Sequence, residues 1–557
     1  MKTKLSFGFT LVMLASLVLS SCNVVQSLGG KSVTLSIVYG SEKQAWLDPM
    51  IQQYNSEKHK TPQGSVIQVQ GTPLGSIEAL DQMLADQLKP TVWSPASSLY
   101  IPVAQAQWSK KFGKDLSAAT PKDLVLSPVV IAMWQPMAEA LGWPQKALGW
   151  ADIAALSTSD KGWEAYGYPE WGTFKFGHTH PGYSNSGLAA AIAEVYAGLN
   201  KARGLTAADL QGDPLKTFVA GVESGVIHYG TSTGFFGDRM FARGPSYLSA
   251  AVLYENLVVA QETKRIAGES QQLPVVAIYP KEGTFIANHP YIVLNAPWVT
   301  DEQKAAAEAF QTFLLDKPQQ LKALEMGFRP ADVSIPFAAP LDAAHGVDVA
   351  QPKTTLEVPS ADVIQGVQDL WKQVKKPVDV VLVMDISGSM AGDKISSARQ
   401  SLIQFINLLD DKDRLQIIIF NDTIKTMTPL ASVGEKRAEM VRRAGGITEG
   451  GGTALYDAVQ QAYTDLKANG DPKHIQSIVV LTDGQDTASQ QVNLDQLVAN
   501  IGQTAEGGGT VKVFTIAYGS DADQSVLKQM AEPTGGKEYS GDPKTINAVY
   551  ADIATFF

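Results

Sequence analysis

The chain has 557 residues, of which 45% are hydrophobic and 18% are charged, and this composition excludes wholesale disorder and fibrous structure. Lys and Arg number 45 against 56 Asp and Glu, a net charge of −11. Because the sequence also lacks a basic block, we expect no nucleic-acid partner. The single cysteine, Cys22, excludes an internal disulfide and a cysteine-rich metal site. At this length we expect about three to five domain-sized units.

The start of the sequence has the pattern of an export signal. A short positive segment precedes an apolar stretch at 11–19, which is too short to span a bilayer and is followed by Cys22. This segment resembles a bacterial lipoprotein signal, which implies cleavage before Cys22 and diacylation of its thiol. An ordinary secretory signal with an incidental thiol is the alternative. We expect a signal peptide at 1–22, a tether at 23–32 and a protein held on the extracytoplasmic face of the cell membrane by lipid alone.

Strands, small polar turns and helices alternate from Val33 to about residue 330, which predicts an α/β architecture. Several of these turns carry hydroxyl residues and precede helix-length apolar segments. Such turns cap helices, and where they converge in a cleft they also bind anions or polar ligands. For a single turn, capping is the commoner role, so the turns by themselves leave both roles open.

Segments of this region resemble the two-lobed extracellular solute-binding proteins of bacterial transporters, of the molybdate-like type. The segments that carry the resemblance are 36–41, 89–95, 180–187, 274–283 and 289–291. The resemblance implies a two-lobed domain at 33–335, with the second lobe at about 130–270, that closes on a small polar or anionic solute. It places four hydroxyl residues at the cleft as ligand-binding candidates: Ser41, Ser94, Ser184 and Thr231.

Two histidines, His178 and His180, lie two residues apart, as metal ligands on one strand face do. No carboxylate or third ligand stands beside them at a recognisable spacing, so a structural or capping role is favoured. No catalytic signature occurs in its proper context either. We therefore expect that the protein is not an enzyme.

A linker and a helix follow the predicted solute-binding domain, at 336–376. The linker is rich in Ala and Pro and shows little periodicity. The helix is predicted at 361–375, with one apolar face that has to pack against another element.

Four mostly apolar strands then alternate with helix-length segments, at 378–384, 415–420, 477–482 and 511–517. This order predicts a doubly wound parallel sheet, which binds ligands at the carboxyl ends of its strands. Two carboxylates and three hydroxyls occur in the loops at those ends: Asp385, Ser387, Ser389, Thr453 and Asp483. Because hard oxygen ligands suit a hard cation, we predict a Mg²⁺ site there.

With these five residues, the segment 377–557 resembles the von Willebrand factor type A domain, a Rossmann-like fold with a metal ion-dependent adhesion site. The resemblance implies that the five hold Mg²⁺ (or Mn²⁺), directly or through water, and that a partner protein supplies a Glu or Asp to the ion. We expect a lipid-anchored protein that binds a protein through this site and a small ligand in the cleft. The alternative is the substrate-binding component of an ABC-type transporter, with the A domain as a docking module.

Overall fold

The computed structural model describes residues 31–506, 511–554 and 556. The predicted signal peptide, Cys22 and the tether as far as residue 30 lie outside the described residues. Within the described ranges, no helix combines the length and the apolar character needed to cross a membrane. The described residues form three sheets, with helices packed on them.

The chain begins in the first lobe, where strands alternate with helices. These elements are β1 (Ser32–Tyr39), α1 (Gln44–Glu57), β2 (Val66–Pro73), α2 (Ser76–Leu84), β3 (Val92–Ser94), α3 (Ile101–Phe112) and β4 (Lys122–Asp123). β1 pairs in parallel with both β2 and β3. Alternate apolar side chains of β1 are fully buried, namely Leu35, Ile37 and Tyr39. Such burial is expected of a strand that has a neighbour on each side.

The second lobe follows at once and contains the long strand that links the two lobes. Its elements are β5 (Val125–Trp134), α4 (Gln135–Ala140), α5 (Trp150–Ser157), β6 (Phe176–Thr179), α6 (Asn185–Gly198), α7 (Asp213–Glu223), β7 (Val226–Gly230), α8 (Thr233–Arg243), β8 (Ala250–Tyr254), α9 (Glu255–Ile266) and β9 (Val275–Ile278). Within its sheet, β5 pairs with β8 and β9, and β6 pairs with β7 and β8.

The chain then returns to the first lobe. The returning elements are β10 (Ile286–Ala287), β11 (Pro290–Val293), α10 (Asp301–Leu315), α11 (Lys317–Glu325) and β12 (Arg329–Pro330). β11 lies between β3 and β4 in the first sheet, whereas β10 and β12 pair with the start of β5. The chain therefore crosses between the lobes before β5 and after β9. It crosses again after β12, because Gly346 O accepts a hydrogen bond from Ala277 N of β9.

A single helix, α12 (Ala361–Val374), connects the lobes to the third domain. The apolar face predicted from the sequence is buried, including Val363, Val367 and Trp371. This face packs against α3 of the first lobe and against α6 and α7 of the second lobe. Helix α12 therefore touches both lobes immediately before the chain enters the third domain.

The third domain alternates strands and helices around one six-stranded sheet. Its elements are β13 (Val378–Asp385), α13 (Asp393–Leu408), β14 (Arg414–Phe420), β15 (Ile424–Ser432), α14 (Val433–Gly445), α15 (Leu455–Asn469), β16 (Ile475–Thr482), α16 (Leu494–Glu506), β17 (Lys512–Tyr518), α17 (Gln524–Ala531), β18 (Glu538–Gly541) and α18 (Ile546–Ala554).

The strand order of this sheet is β15-β14-β13-β16-β17-β18, and every pairing except β14 with β15 is parallel. Alternate residues of β13 pack into two separate cores, Leu382 on one face and Val383 on the other. The predicted fold class is thus confirmed: an α/β chain with a two-lobed domain followed by a doubly wound, Rossmann-like domain. The sequence did not predict β15 and β18, which are edge strands with partly exposed, more polar residues.

The third domain docks on the second lobe through the amino ends of its strands. Arg239 donates a hydrogen bond to Gly535 O at 3.5 Å, and Lys376 donates to Val226 O at 3.3 Å. Tyr229 N donates to Phe556 O at 3.4 Å. Because Lys376 precedes β13 and Gly535 precedes β18, the carboxyl ends of the strands lie at the opposite end of the domain from this interface.

Candidate metal centre and inter-lobe cleft

The two predicted metal-binding carboxylates follow neighbouring strands at the centre of the third sheet. β13 and β16 are parallel and in register, with Met384 opposite Leu481. Asp385 is the last residue of β13, and Asp483 is the first residue after β16. Strand pairing alone therefore brings these two carboxylates to the same edge of the sheet.

Asp385 is fully buried and held in a fixed orientation. Its Oδ1 accepts a hydrogen bond from Ser387 N at 2.7 Å, and its Oδ2 accepts one from Thr482 Oγ1 at 2.6 Å. Burial raises the pKa of Asp385, and the charge of Asp483 adds to this rise. Among the described residues, Asp385 has no ion-pair partner, so a cation at this position would stabilise its charged form.

The hydroxyls of the first loop connect the two carboxylates. Ser387 Oγ lies 3.0 Å from Ser389 Oγ, and Ser389 Oγ donates to Asp483 Oδ1 at 2.7 Å. The loop contains a short 3-10 turn at Gly388–Met390, from which Ser389 reaches the residue that follows β16. Gly388 and Ser389 are exposed, so solvent reaches the loop from outside the domain.

Thr453 comes from a glycine-rich loop that packs on the first loop. Gly388 N donates to Gly451 O at 3.1 Å. A Cβ atom built on Gly484 would lie 3.7 Å from Thr453 Oγ1 and 3.8 Å from Ser389 Oγ, so both hydroxyls lie beside the residue that follows Asp483. Gly451 has a φ of +90°, and a side chain there would overlap Asp422. The loop conformation therefore requires this glycine.

The loop that follows Asp483 is fixed by Asp457, a residue for which the sequence patterns predicted no role. The buried carboxylate of Asp457 accepts hydrogen bonds from three consecutive backbone N–H groups, those of Gln490, Gln491 and Val492, at 2.7, 3.0 and 3.0 Å. These bonds tie the segment after Asp483 to the first turn of α15. Asp457 thereby positions a metal-site loop without belonging to the predicted ligand set.

Lys394 is a cation at the same edge of the sheet that was not among the predicted site residues. Its Nζ donates to Asp483 Oδ2 at 2.6 Å and lies 3.9 Å from Asp521 Oδ2. The signal for it was a lysine in the first turn of the helix that follows the Asp-x-Ser-x-Ser loop. Lys394 compensates the charge of Asp483, whereas Asp385 has no such partner among the described residues.

The structure brings all five predicted ligands to one rim, which we call the metal rim: Asp385, Ser387, Ser389, Thr453 and Asp483. Their side chains offer only oxygen atoms, which is the ligand set that Mg²⁺ and Mn²⁺ prefer. The buried, uncompensated charge of Asp385 is a second feature that a divalent cation would satisfy. The residues of the metal rim therefore fit a divalent cation.

Three of the predicted cleft residues lie where the two lobes meet: Ser41, Ser184 and Thr231. The fourth, Ser94, contacts Gly40 of its own lobe through its backbone oxygen. The Ser41 hydroxyl of the first lobe hydrogen bonds to the Ser232 hydroxyl of the second lobe. Ser41 Oγ also accepts a hydrogen bond from Gly234 N, in the first turn of α8, at 3.0 Å. A ligand-binding candidate of one lobe is thus bonded directly to the other lobe.

A second contact between the lobes involves the first turn of α2. Ile77 N and Glu78 N both donate to Tyr183 O of the second lobe at 3.1 Å. The N–H groups in the first turn of a helix are free to bind an anion unless another group accepts from them. Here the opposite lobe accepts from them, so the lobes are closed directly on each other.

The remaining predicted cleft residues differ in their surroundings. Ser184 Oγ lies 3.2 Å from Thr233 Oγ1, and Thr231 is half-buried beside Gly75. Ser94 Oγ is buried and has no hydrogen-bond partner among the described residues, and the same is true of Asn185 Oδ1. An unsatisfied buried polar atom is a place where a polar group of a ligand would be stabilised.

A buried charged cluster of Glu42, Lys43 and His289, which no sequence pattern indicated, lies beside this contact. Lys43 Nζ lies 2.9 Å from Glu42 Oε1 and 3.2 Å from His289 Nδ1. Burial opposes the charge on Glu42, yet Lys43 and His289 lower its pKa to about 2. Burial, with the nearby charge of Lys43, lowers the pKa of His289 to about 4. The cluster therefore contains one ion pair and a neutral histidine at neutral pH.

The fold and these sites define a two-domain binding protein, with a closed two-lobed domain and a domain that carries an oxygen-lined metal rim. Residues 35–329 match the family of bacterial extracellular solute-binding proteins, and since this match covers more than half of the chain, the chain belongs to that family. Residues 379–547 match the von Willebrand factor type A domain. Both are binding domains, and the first indicates an extracytoplasmic location.

Comparison with individual proteins gives more distant matches. An uncharacterized protein of Mycobacterium tuberculosis is 23% identical over 510 residues, covering 83% of this chain and 67% of its own length. Inter-alpha-trypsin inhibitor heavy chain H4 of Homo sapiens is 30% identical over 169 residues, which are 29% of this chain and 18% of the human protein. A solved periplasmic thiamin binding protein is 11% identical, with a TM-score of 0.45, and the match covers 62% of this chain and 99% of that structure.

The burial of His289 predicts a pH dependence for the stability of the two-lobed domain. Its pKa is lowered from 6.5 to about 4 in the fold, so between these values the unfolded chain binds a proton that the folded chain does not. The free energy of unfolding should therefore fall as the pH decreases from about 6.5 to about 4. Melting temperatures measured across this range should show the decrease.

The substitution His289→Gln should flatten this part of the pH profile, because glutamine does not titrate. Part of the slope should remain, because the buried histidines His180 and His228 also have pKa values far below the usual one. Equal slopes for the wild type and His289→Gln would show that another group causes the pH dependence.

Proposed function

We propose that this chain is a lipid-anchored extracytoplasmic protein that binds a protein partner through a divalent cation, Mg²⁺ or Mn²⁺, held at the metal rim. The observation that carries the proposal is the convergence of five oxygen-bearing side chains from three loops around the buried carboxylate of Asp385. When bound, the cation supplies an open coordination position for a Glu or Asp of the partner. The chain's own residues orient the rim and keep it exposed, and we propose a binding role without catalysis.

The position of the rim supports a partner of protein size. The third domain contacts the second lobe through the amino ends of its strands, so the rim at the carboxyl ends faces away from the rest of the chain. Gly388 and Ser389 are exposed at the outer surface. A partner can therefore approach the rim without displacing another part of this protein.

Helix α12 gives the two domains a route for communication. It packs on α3 of the first lobe and on α6 and α7 of the second, and it leads directly into β13, whose last residue is Asp385. We propose that the arrangement of the lobes influences the placement of β13 and with it the affinity of the rim. Such coupling is reciprocal, because a partner bound at the rim would then favour one lobe arrangement.

A second candidate function is solute capture, with the chain as the substrate-binding component of an ABC-type transporter and the A domain as its docking module. Two observations favour it. The first is membership of the extracellular solute-binding family, and the second is the pair of unsatisfied buried atoms, Ser94 Oγ and Asn185 Oδ1. In this candidate, the ligand would be a small polar or anionic solute bound between the lobes.

The substitution Asp385→Ala tests the metal rim. We expect that it removes Mg²⁺ binding as measured by titration calorimetry, because the buried carboxylate is the central ligand of the set. The matched control is Asp411→Ala, since Asp411 is exposed and lies in the loop before β14, at the docked end of the domain. Wild-type Mg²⁺ affinity in a folded Asp385→Ala chain would contradict the proposal.

The substitution Cys22→Ser tests the lipid anchor. We expect that the wild-type chain fractionates with membranes and that Cys22→Ser moves it to the soluble fraction, because the thiol that would carry the lipid is absent. Mass spectrometry of the wild-type amino terminus should show the added acyl mass. A Cys22→Ser chain that stays membrane-bound would contradict a lipid anchor at this residue.

A ligand panel tests the cleft. With Mg²⁺ held constant, oxyanions, sugars, amino acids and short peptides are compared by thermal unfolding. A ligand at 100 times its Kd should add about 2.7 kcal/mol to the free energy of unfolding of its domain. The shift should disappear when Ser184→Ala and Thr231→Val are combined, and a shift that persists in this double variant would place the ligand elsewhere.

A further inference from the structure

The core of the second lobe contains one histidine and two glutamates that meet from three elements. His178 lies on β6, Glu194 on α6 and Glu223 at the end of α7, and all three are fully buried. Each offers a ligand atom, and these atoms lie within 4.8 Å of one another. The sequence next to His178 contains no carboxylate at a metal-ligand spacing. The two carboxylates come instead from α6 and α7.

The hydrogen bonds of His178 fix which of its nitrogens carries the proton. Nδ1 lies 2.8 Å from Thr179 O, and because a carbonyl oxygen only accepts, Nδ1 is the donor. Nε2 faces Glu223 Oε1 at 3.0 Å. A neutral imidazole protonated on Nδ1 presents a lone pair at Nε2, so a positive charge has to lie between these two atoms. That charge is either a second proton or a metal ion.

Glu223 is oriented by two further donors. Tyr229 OH donates to its Oε2 at 2.7 Å, and Trp371 Nε1 donates to its Oε1 at 2.9 Å. Outer donors of this kind hold a ligating carboxylate in place in metal sites, just as the carbonyl oxygen that accepts from Nδ1 holds a ligating histidine. Both ligand types in the cluster therefore have the supporting contacts of a metal site.

Glu194 is the observation that separates a metal ion from a proton. It is fully buried, and within the described part of the chain neither of its carboxyl oxygens has a hydrogen-bond partner. A proton shared by His178 and Glu223 leaves Glu194 unsatisfied in the core, which is unfavourable whether it is ionised or protonated. A divalent ion bound by all three side chains balances two carboxylates and satisfies Glu194 at the same time.

We infer that His178, Glu194 and Glu223 bind a divalent transition-metal ion of the zinc type in the core of the second lobe. Zinc takes imidazole nitrogen and carboxylate oxygen at about 2.0–2.2 Å, which places neighbouring ligand atoms roughly 3 to 3.5 Å apart. The separation of 3.0 Å between His178 Nε2 and Glu223 Oε1 is close to this range. The mixed nitrogen and oxygen ligands distinguish this site, which we call the core site, from the oxygen-only metal rim.

The core site lies directly under helix α12. Trp371 of α12 donates to Glu223, and the same indole ring packs edge-on against His180 and Tyr229, at centroid distances of 4.7 and 5.1 Å. An ion at this position would fix β6, α6 and α7 relative to one another and to α12. Its role is structural, because its ligands are fully buried.

The test measures zinc in the full chain, purified in detergent without chelators, on an Asp385→Ala background that removes the rim ion. We expect about one zinc ion per chain by elemental analysis. Chelator treatment should lower the melting temperature, and Zn²⁺ but not Mg²⁺ should restore it. The added substitution Glu194→Gln should lower the zinc content to about a tenth or less, because a charged ligand is lost.

The control is Glu325→Gln, since Glu325 is exposed and should keep the full zinc content. If Glu194→Gln fails to fold, X-ray absorption at the zinc edge of the Asp385→Ala chain decides instead, and it should show one imidazole among light oxygen and nitrogen ligands. The core site would be overturned if the folded Asp385→Ala chain contains no zinc and neither chelator nor added Zn²⁺ changes its melting temperature. This outcome is independent of Mg²⁺ binding at the metal rim.

Discussion

Buried carboxylates that lack a matching cation are the physical constraint behind both proposed metal sites of this protein. Asp385 at the metal rim and Glu194 in the core of the second lobe are both fully buried, and neither has an ion-pair partner among the described residues. Burial of an uncompensated charge is costly. In contrast, Asp483 contacts Lys394 and Glu42 contacts Lys43. The uncompensated carboxylates are thus the positions where an added cation would contribute most.

The domains are organised so that the metal rim is exposed while the opposite end of the third domain contacts the second lobe. Helix α12 packs on both lobes, and the amino ends of β13 and β18 face the second lobe. A doubly wound sheet places its binding loops at the carboxyl ends of its strands. Docking through the amino ends is therefore the arrangement that fixes the domain and still leaves its binding surface open.

Sequence patterns predicted the fold class and the five residues of the rim because both are encoded locally. Each rim residue follows an apolar strand or precedes a helix, and parallel pairing brings such loops together. The core site was not predictable in this way, because Glu194 and Glu223 come from separate helices. One signal was nevertheless present: Glu194 is the only charged residue in the apolar helix 185–198. Likewise, the resemblance to solute-binding proteins placed Ser41 at the cleft but did not show that its partner is Ser232.

The docking of the third domain on the second lobe has a geometric consequence. The first lobe begins with β1 at Ser32, ten residues after Cys22. A lipid anchor at Cys22 would therefore connect the protein to the membrane through the first lobe. The A domain is attached to the other lobe. Any rotation of one lobe against the other would then change the orientation of the metal rim relative to the membrane plane. The lobes would set the angle at which this protein presents its binding surface to a neighbouring cell or molecule.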